Sequence, residues 1–187
     1  MKDMFKLGLV LALYASVACG GLAVVNGFTA PLIAAEKEKE VNQALAVIFE
    51  GAEFESAPGF KAAKESGIQL ESMYLAKKSG QVAGAVMQVT GPTYDKATLL
   101  VGVDMERKIA KVRFLSISDT PGFGQRALEP AFYNQFAGKS VDDPFEAKAD
   151  VDAISGATIT SRGVSAILKT AVKTEAEYLA VNNGGKK

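Results

Sequence analysis

The chain has 187 residues with Lys+Arg 21 and Asp+Glu 21, a formal net charge of +0, and no basic excess or stripe marks it for a nucleic-acid partner. It has no His and one Cys, Cys19, which excludes imidazole bases, His-based metal or haem ligation, internal disulfides, CxxC pairs and Cys-ligated iron–sulfur clusters. Redox chemistry in this chain therefore requires an organic cofactor.

Leu7 to Val25 is an uncharged run of apolar and small residues. As a helix it spans roughly 28 Å, close to the hydrocarbon thickness of a bilayer. Asn26 and Gly27 interrupt the run, Phe28 to Ala35 resumes it, and Pro31 is expected at or beyond the membrane boundary. Three readings fit: a retained anchor, a cleaved signal peptide using the small residues Ala15-Ser16-Val17-Ala18, or a lipoprotein acylated at Cys19. The length of the run favours the anchor, and Ser16 stands where a lipobox usually has a branched apolar residue. Lys2 and Lys6 precede the span and Glu36-Lys37-Glu38-Lys39-Glu40 follows it. The positive-inside rule then puts the N-terminus in the cytoplasm and the remainder on the extracytoplasmic side of the cytoplasmic membrane, as a single-pass protein.

Apolar residues at Val41, Leu45, Val47 and Ile48 predict a helix over Glu36–Phe49, stopped by Gly51. Ser56 to Gly67, with Pro58 and Gly59, reads as loop. From Ile68 the period changes to that of strands. Gln69–Ala76 and Gln81–Thr90 form a hairpin about Lys77–Gly80, followed by the loop Gly91-Pro92-Thr93-Tyr94-Asp95. Ala97–Asp104 and Lys108–Ser116 flank the turn Met105–Arg107. Meander strands of this spacing predict an antiparallel sheet with one buried face.

Ser118-Asp119-Thr120-Pro121-Gly122-Phe123-Gly124-Gln125 cannot extend a strand or a helix. It is either a plain turn or a loop whose backbone amides are free to bind a ligand. Arg126–Phe136 has helical spacing limited by Pro130. Val151–Ile154 is a candidate short strand. Ser155 to Ser161 concentrates hydroxyls around Gly156, with Thr160 or Ser161 as the expected cap of a helix over Gly163–Tyr178. Such a helix start is either a well-capped terminus with no ligand or a phosphate site.

Asp152 followed by Ser155-Gly156-Ala157-Thr158-Ile159-Thr160-Ser161 resembles the flavinylation motif of the FMN-binding domain found in the G-type subunit of the Rnf electron-transport complex and in the C-type subunit of the sodium-pumping NADH:quinone reductase. The N-terminal anchor, Leu100-Val101-Gly102-Val103-Asp104 and Thr120-Pro121-Gly122-Phe123-Gly124 recur in the family's order. The chain departs from the family's usual pattern with Phe123 for Leu, Asp119 for Glu and Ile117 for His. Its length suits the Rnf protein better than the quinone-reductase protein.

The resemblance implies FMN bound covalently through a phosphoester to Thr158, installed by a separate flavin transferase that reads Asp152, Ser155, Gly156, Ala157 and Thr158. It places Thr120, Gly122 and Phe123 in the flavin pocket, with Gly156, Ala157 and Ile159 flanking the attachment. Gly91 and Tyr94 are further candidates; Tyr94 is either a stacking ring or an ordinary surface residue. No metal ligand and no general acid or base is implied. The expected architecture is α+β. A single transmembrane helix (1–35) and a linker helix and loop (36–67) precede an FMN-binding domain (68–187) with an antiparallel sheet packed by helices. The implied function is electron transfer inside a membrane complex that couples ferredoxin:NAD oxidoreduction to Na⁺ or H⁺ translocation, with the other members of the complex as partners. The alternative is a stand-alone, membrane-anchored extracytoplasmic flavoprotein.

Overall fold

The computed structural model describes residues 2–183. The chain divides into two compact units after Val41. The first lies within α1 (Lys2–Ile48), a helix that runs through Pro31 without ending. Among the described residues it is the one helix long and apolar enough to cross a membrane, and its apolar window is fully exposed.

The second unit is built on an antiparallel sheet. Its strands are β1 (Glu53–Ser56), β2 (Ala63–Glu65), β3 (Ile68–Lys78), β4 (Gln81–Pro92), β5 (Lys96–Asp104) and β6 (Ile109–Ile117). They lie in the order β1-β3-β4-β5-β6, and β2 pairs with β3 beside β1. β3 and β4 are joined at Ser79-Gly80, both in the left-handed region, which suits a tight hairpin turn. The four long strands match the expected meander. β1 and β2, within or adjoining the stretch read as linker, pair with Tyr74–Lys77 and Ile68–Leu70 of β3. Residues 42–67 thus belong to the sheet unit rather than to a linker. Their exposed, charged strands carry almost no alternation, so no periodic signal marks them in the sequence.

The sheet is buried on two faces rather than one. α3 (Thr158–Asn183) lays Val164, Ile167, Leu168, Ala171 and Val172 over Met87, Val89, Leu99 and Val101. On the opposite face Ala76, Val86 and Leu100 are equally inaccessible. There the C-terminal turn of α1 packs down. A Cβ on Gly84 would lie 2.6 Å from the Phe49 ring, and one on Gly102 would lie 2.4 Å from Ile48 Cγ2. These two glycines form a notch that a larger residue would fill. Burial on both faces explains the unbroken apolar run Gly84 to Met87 in β4, since alternation marks a strand with one wet face.

Between β6 and α3 the chain forms a 3-10 turn (Gly124–Leu128), a single-turn helix α2 (Pro130–Tyr133) and a second 3-10 turn (Asn134–Phe136). Pro130 starts α2 at its first position, where a missing N–H costs nothing, so the helix expected across 126–136 is broken into turns. Phe132 and Phe136 meet edge-to-face beneath it. The strand expected at 151–154 reduces to one bridge between Ala147 and Val151.

Candidate functional site

α3 starts five residues before the helix the sequence predicts. The Ala157 carbonyl accepts the Ser161 amide at 3.0 Å, which makes Ala157 the cap residue. Gly156 just ahead of it has φ +80°, a conformation that side chains oppose. Thr160 and Ser161 are therefore not caps; both lie buried inside the first turn. Ser161 Oγ accepts the Ile154 N–H at 2.9 Å and donates to the Ala157 carbonyl at 3.1 Å, stapling the entering loop to the helix. The first-turn amides of Thr158, Ile159 and Thr160 have no helical acceptor, and the helix dipole makes that end attractive to an anion.

The second wall is the Thr120–Gly124 loop. The Phe123 N–H donates to the Thr120 carbonyl at 3.2 Å, with Gly122 at φ +77° in the third turn position, as a type II turn requires. The Gln125 amide also points back to Thr120. Much of the donor capacity that the sequence leaves free is thus spent on the turn. The third wall is the loop Thr93–Asp95 between β4 and β5.

Asp119 joins all three walls. It is 1% exposed and accepts four hydrogen bonds: Thr93 Oγ1 at 2.5 Å, the Asp95 amide at 2.9 Å, the Tyr94 amide at 3.2 Å and Thr160 Oγ1 at 2.6 Å. Burial alone raises its carboxyl, but the donors from Thr160, Thr93, Asp95 and Tyr94 together outweigh this and hold it below the ordinary carboxylate value. Gly124 sits against this group: a Cβ there would lie 2.5 Å from Asp119 Cβ and 2.8 Å from Thr160 Oγ1.

The walls enclose an open cavity of about 440 Å³, within the usual range for small-molecule sites. The structure brings Tyr94, Thr120, Phe123, Gly156, Ala157, Thr158 and Ile159 together on its lining and adds Gly124 and Thr160. Tyr94, Phe123 and Ile159 are 67%, 57% and 60% exposed, three large apolar side chains converging where no protein covers them. The lining also includes Thr158, the first residue of α3. Such a site suits a ligand with a phosphate end and an aromatic body.

Two expected pocket residues do not line the cavity. Gly91 is buried in β4, where a Cβ would meet Ile167 Cγ1 at 2.6 Å; it lets α3 approach the sheet and does not face the cavity. Gly122 shapes the turn and is absent from the lining. Asp152 and Ser155 are exposed beside the site, with the Asp152 backbone held by Gln135 at 2.7 and 3.2 Å. Asp119 is the residue that sequence reasoning undervalues, since it enters only as a departure from the family pattern. Its signal is a carboxylate directly before Thr-Pro-Gly.

Two family profiles match the chain: the FMN-binding domain over residues 93–173 and the RnfG N-terminal region over residues 1–48. The G subunit of the Na(+)-translocating ferredoxin:NAD(+) oxidoreductase complex of Acetobacterium woodii is 32% identical, covering 88% of this chain and 87% of that protein. The G subunit of the ion-translocating oxidoreductase complex of Pseudomonas aeruginosa is 31% identical over 87% of this chain and 84% of its own length. Among solved structures, NqrC of Shewanella oneidensis shares the fold, with a TM-score of 0.51 at 21% identity over 62% of each chain, so the likeness spans about three-fifths of that structure. On the strength of these matches, the chain belongs to the RnfG family of ion-translocating oxidoreductase complexes and carries that family's FMN-binding domain.

Proposed function

We propose that this protein carries FMN as a phosphoester on Thr158 and relays electrons within a membrane complex. The observation that carries this reading is the position of Thr158: first residue of α3, on the lining of a cavity that it shares with the exposed apolar trio Tyr94, Phe123 and Ile159. FMN, when bound, supplies the electron-carrying chemistry. The chain's own residues supply placement. The Thr158 hydroxyl is the attachment oxygen, and the first-turn amides of α3 with its dipole favour the phosphoryl charge. Tyr94, Phe123 and Ile159 offer apolar surface that excludes water from a ring system. A covalent link keeps an exposed cofactor from diffusing away.

In this reading the complex couples ferredoxin:NAD oxidoreduction to Na⁺ or H⁺ translocation, as the name of the Acetobacterium relative states for its own complex with Na⁺. The charge pattern around the span of α1 supports a domain on the extracytoplasmic side. A separate flavin transferase attaches the FMN, using the exposed Asp152 and Ser155 beside Thr158. Nothing here calls for a proton-transferring side chain in the chain itself.

The test is direct. Full-length protein co-expressed with a flavin transferase should keep yellow colour and in-gel fluorescence after denaturation, with an intact-mass gain matching FMN. Thr158→Ala should lose both, and flavin that survives denaturation in this variant would overturn the assignment.

A further inference from the structure

The residues on the cavity surface have a place in the proposed function, but the buried carboxylate behind them does not. We infer that Asp119 is a positioning residue for the bound flavin: it clamps the Tyr94 loop to the first turn of α3 and takes up the Thr160 hydroxyl proton, with no donor left for the cavity. This inference rests on the flavin reading above.

The clamp follows from which atoms meet. Oδ1 receives Thr93 Oγ1 and the Asp95 amide, while Oδ2 receives Thr160 Oγ1 and the Tyr94 amide. Each oxygen thus holds one hydroxyl and one backbone N–H. A hydroxyl can reverse its role, but a backbone amide cannot. An Asn side chain in the same place would point its NH₂ at a backbone N–H in either orientation, so no uncharged isostere satisfies the set. The structure calls for a carboxylate here, and its depressed acidity keeps it ionised at neutral pH.

The second consequence concerns Thr160. Its hydroxyl carries a single proton, and that proton is committed to Asp119 at 2.6 Å. Thr160 borders the cavity while being 1% exposed, so the cavity finds no side-chain proton donor at this position. Asp119 in turn lies one hydrogen bond behind two lining residues, Thr160 and Tyr94. A fixed negative charge at that remove opposes the addition of electrons to a bound flavin. Gly124 makes the arrangement possible, because a Cβ there would strike both Asp119 and Thr160.

The experiment uses the full chain in two states, flavinylated and flavin-free, with Asp119→Asn, Thr160→Val and Thr160→Ser. In the flavin-free state, amide hydrogen exchange at Tyr94 and Asp95 should quicken in Asp119→Asn. In the flavinylated state, Asp119→Asn should raise the flavin midpoint potential by an amount equal to about a tenfold shift toward the reduced form, or ~30 mV for a two-electron couple. Thr160→Val should displace the potential and the absorption maximum, and Thr160→Ser, which restores the hydroxyl, should return both. A wild-type potential in either Asp119→Asn or Thr160→Val overturns the inference, as does unchanged exchange in Asp119→Asn. If Asp119→Asn does not fold, the Thr160 pair decides alone. Flavin retained on Thr158→Ala would strike the attachment reading instead, leaving the exchange result to judge the clamp.

Discussion

Replacing Gly163 with Ala sets two effects of opposite sign against each other at the joint between α3 and the Tyr94 loop. In an exposed helix interior the change stabilises by about 1 kcal/mol, because Ala loses less backbone freedom on folding. Here the new Cβ would lie 2.6 Å from the Pro92 carbonyl oxygen, 2.7 Å from Thr93 Cα and 3.2 Å from Thr93 Cγ2, where ordinary contact begins at 3.4 Å. The two nearest atoms are backbone, so no rotamer change relieves them. The helix and the loop must part, and overpacking of this kind costs ~1–3 kcal/mol. The longest bond to Asp119, from the Tyr94 amide at 3.2 Å, should break first. Two backbone atoms under 3.0 Å put the cost in the upper part of that range, ~2–3 kcal/mol, so the expected net effect is destabilisation by ~1–2 kcal/mol, with reduced flavin loading as the Tyr94 wall moves. Urea unfolding of the detergent-solubilised chain reads the first effect and in-gel flavin fluorescence the second. Gly91→Ala is the informative contrast, since its Cβ would meet side-chain atoms of Ile167 and Ile68. Its cost should be partly recovered by Ile167→Ala, whereas no side-chain truncation should recover Gly163→Ala. A Gly163→Ala protein as stable as the parent, or more so, would refute the close-approach argument.

Ser161→Ala removes both bonds of a fully buried hydroxyl and orphans the Ile154 amide; a loss of ~1–3 kcal/mol is expected, read by thermal unfolding. Glu175 is fully buried in α3, and neither carboxylate oxygen makes a well-formed hydrogen bond. Burial pushes its carboxyl well above the ordinary 4.5, and the neighbouring Met87 backbone offsets this only in part. The folded state therefore holds a proton that the unfolded chain releases above that value, and this group lowers stability as pH rises from there. Glu175→Leu should accordingly stabilise the protein by ~1–3 kcal/mol near neutral pH and by progressively less toward pH ~4, measured as the difference in urea midpoints across that range. An equal gain at both ends would show that the carboxyl is not kept neutral.

Much of this protein is legible in its sequence because its signals are local. The apolar run of α1, the alternation of β3 and β6, the continuous apolar runs of β4 and β5 and the apolar spacing of α3 are each written within one element's own residues. The candidate attachment motif is equally local, seven consecutive residues around Gly156, and the absence of His is a property of composition alone. The edge strands β1 and β2 escape such reading because exposed charged strands have no buried face to write a pattern. The second buried face escapes it because the notch at Gly84 and Gly102 acquires meaning once Ile48 and Phe49 are seen to fill it. The start of α3 is hidden for a related reason: Thr160 and Ser161 look like caps, yet their hydroxyls are spent on Asp119, Ile154 and Ala157.

The site divides along the same line. That Thr158 is a candidate for attachment is decided by the chain of letters around it. That Tyr94, Phe123 and Ile159 face one cavity while Gly91 and Gly122 do not is decided by tertiary contacts alone. Asp119 is the clearest case. It is an ordinary acidic residue in a turn until residues 93, 94, 95 and 160 are brought to its two oxygens. A hydrogen-bond hub assembled from three separate segments leaves no period and no motif in the sequence, because its members share a location and not a neighbourhood along the chain.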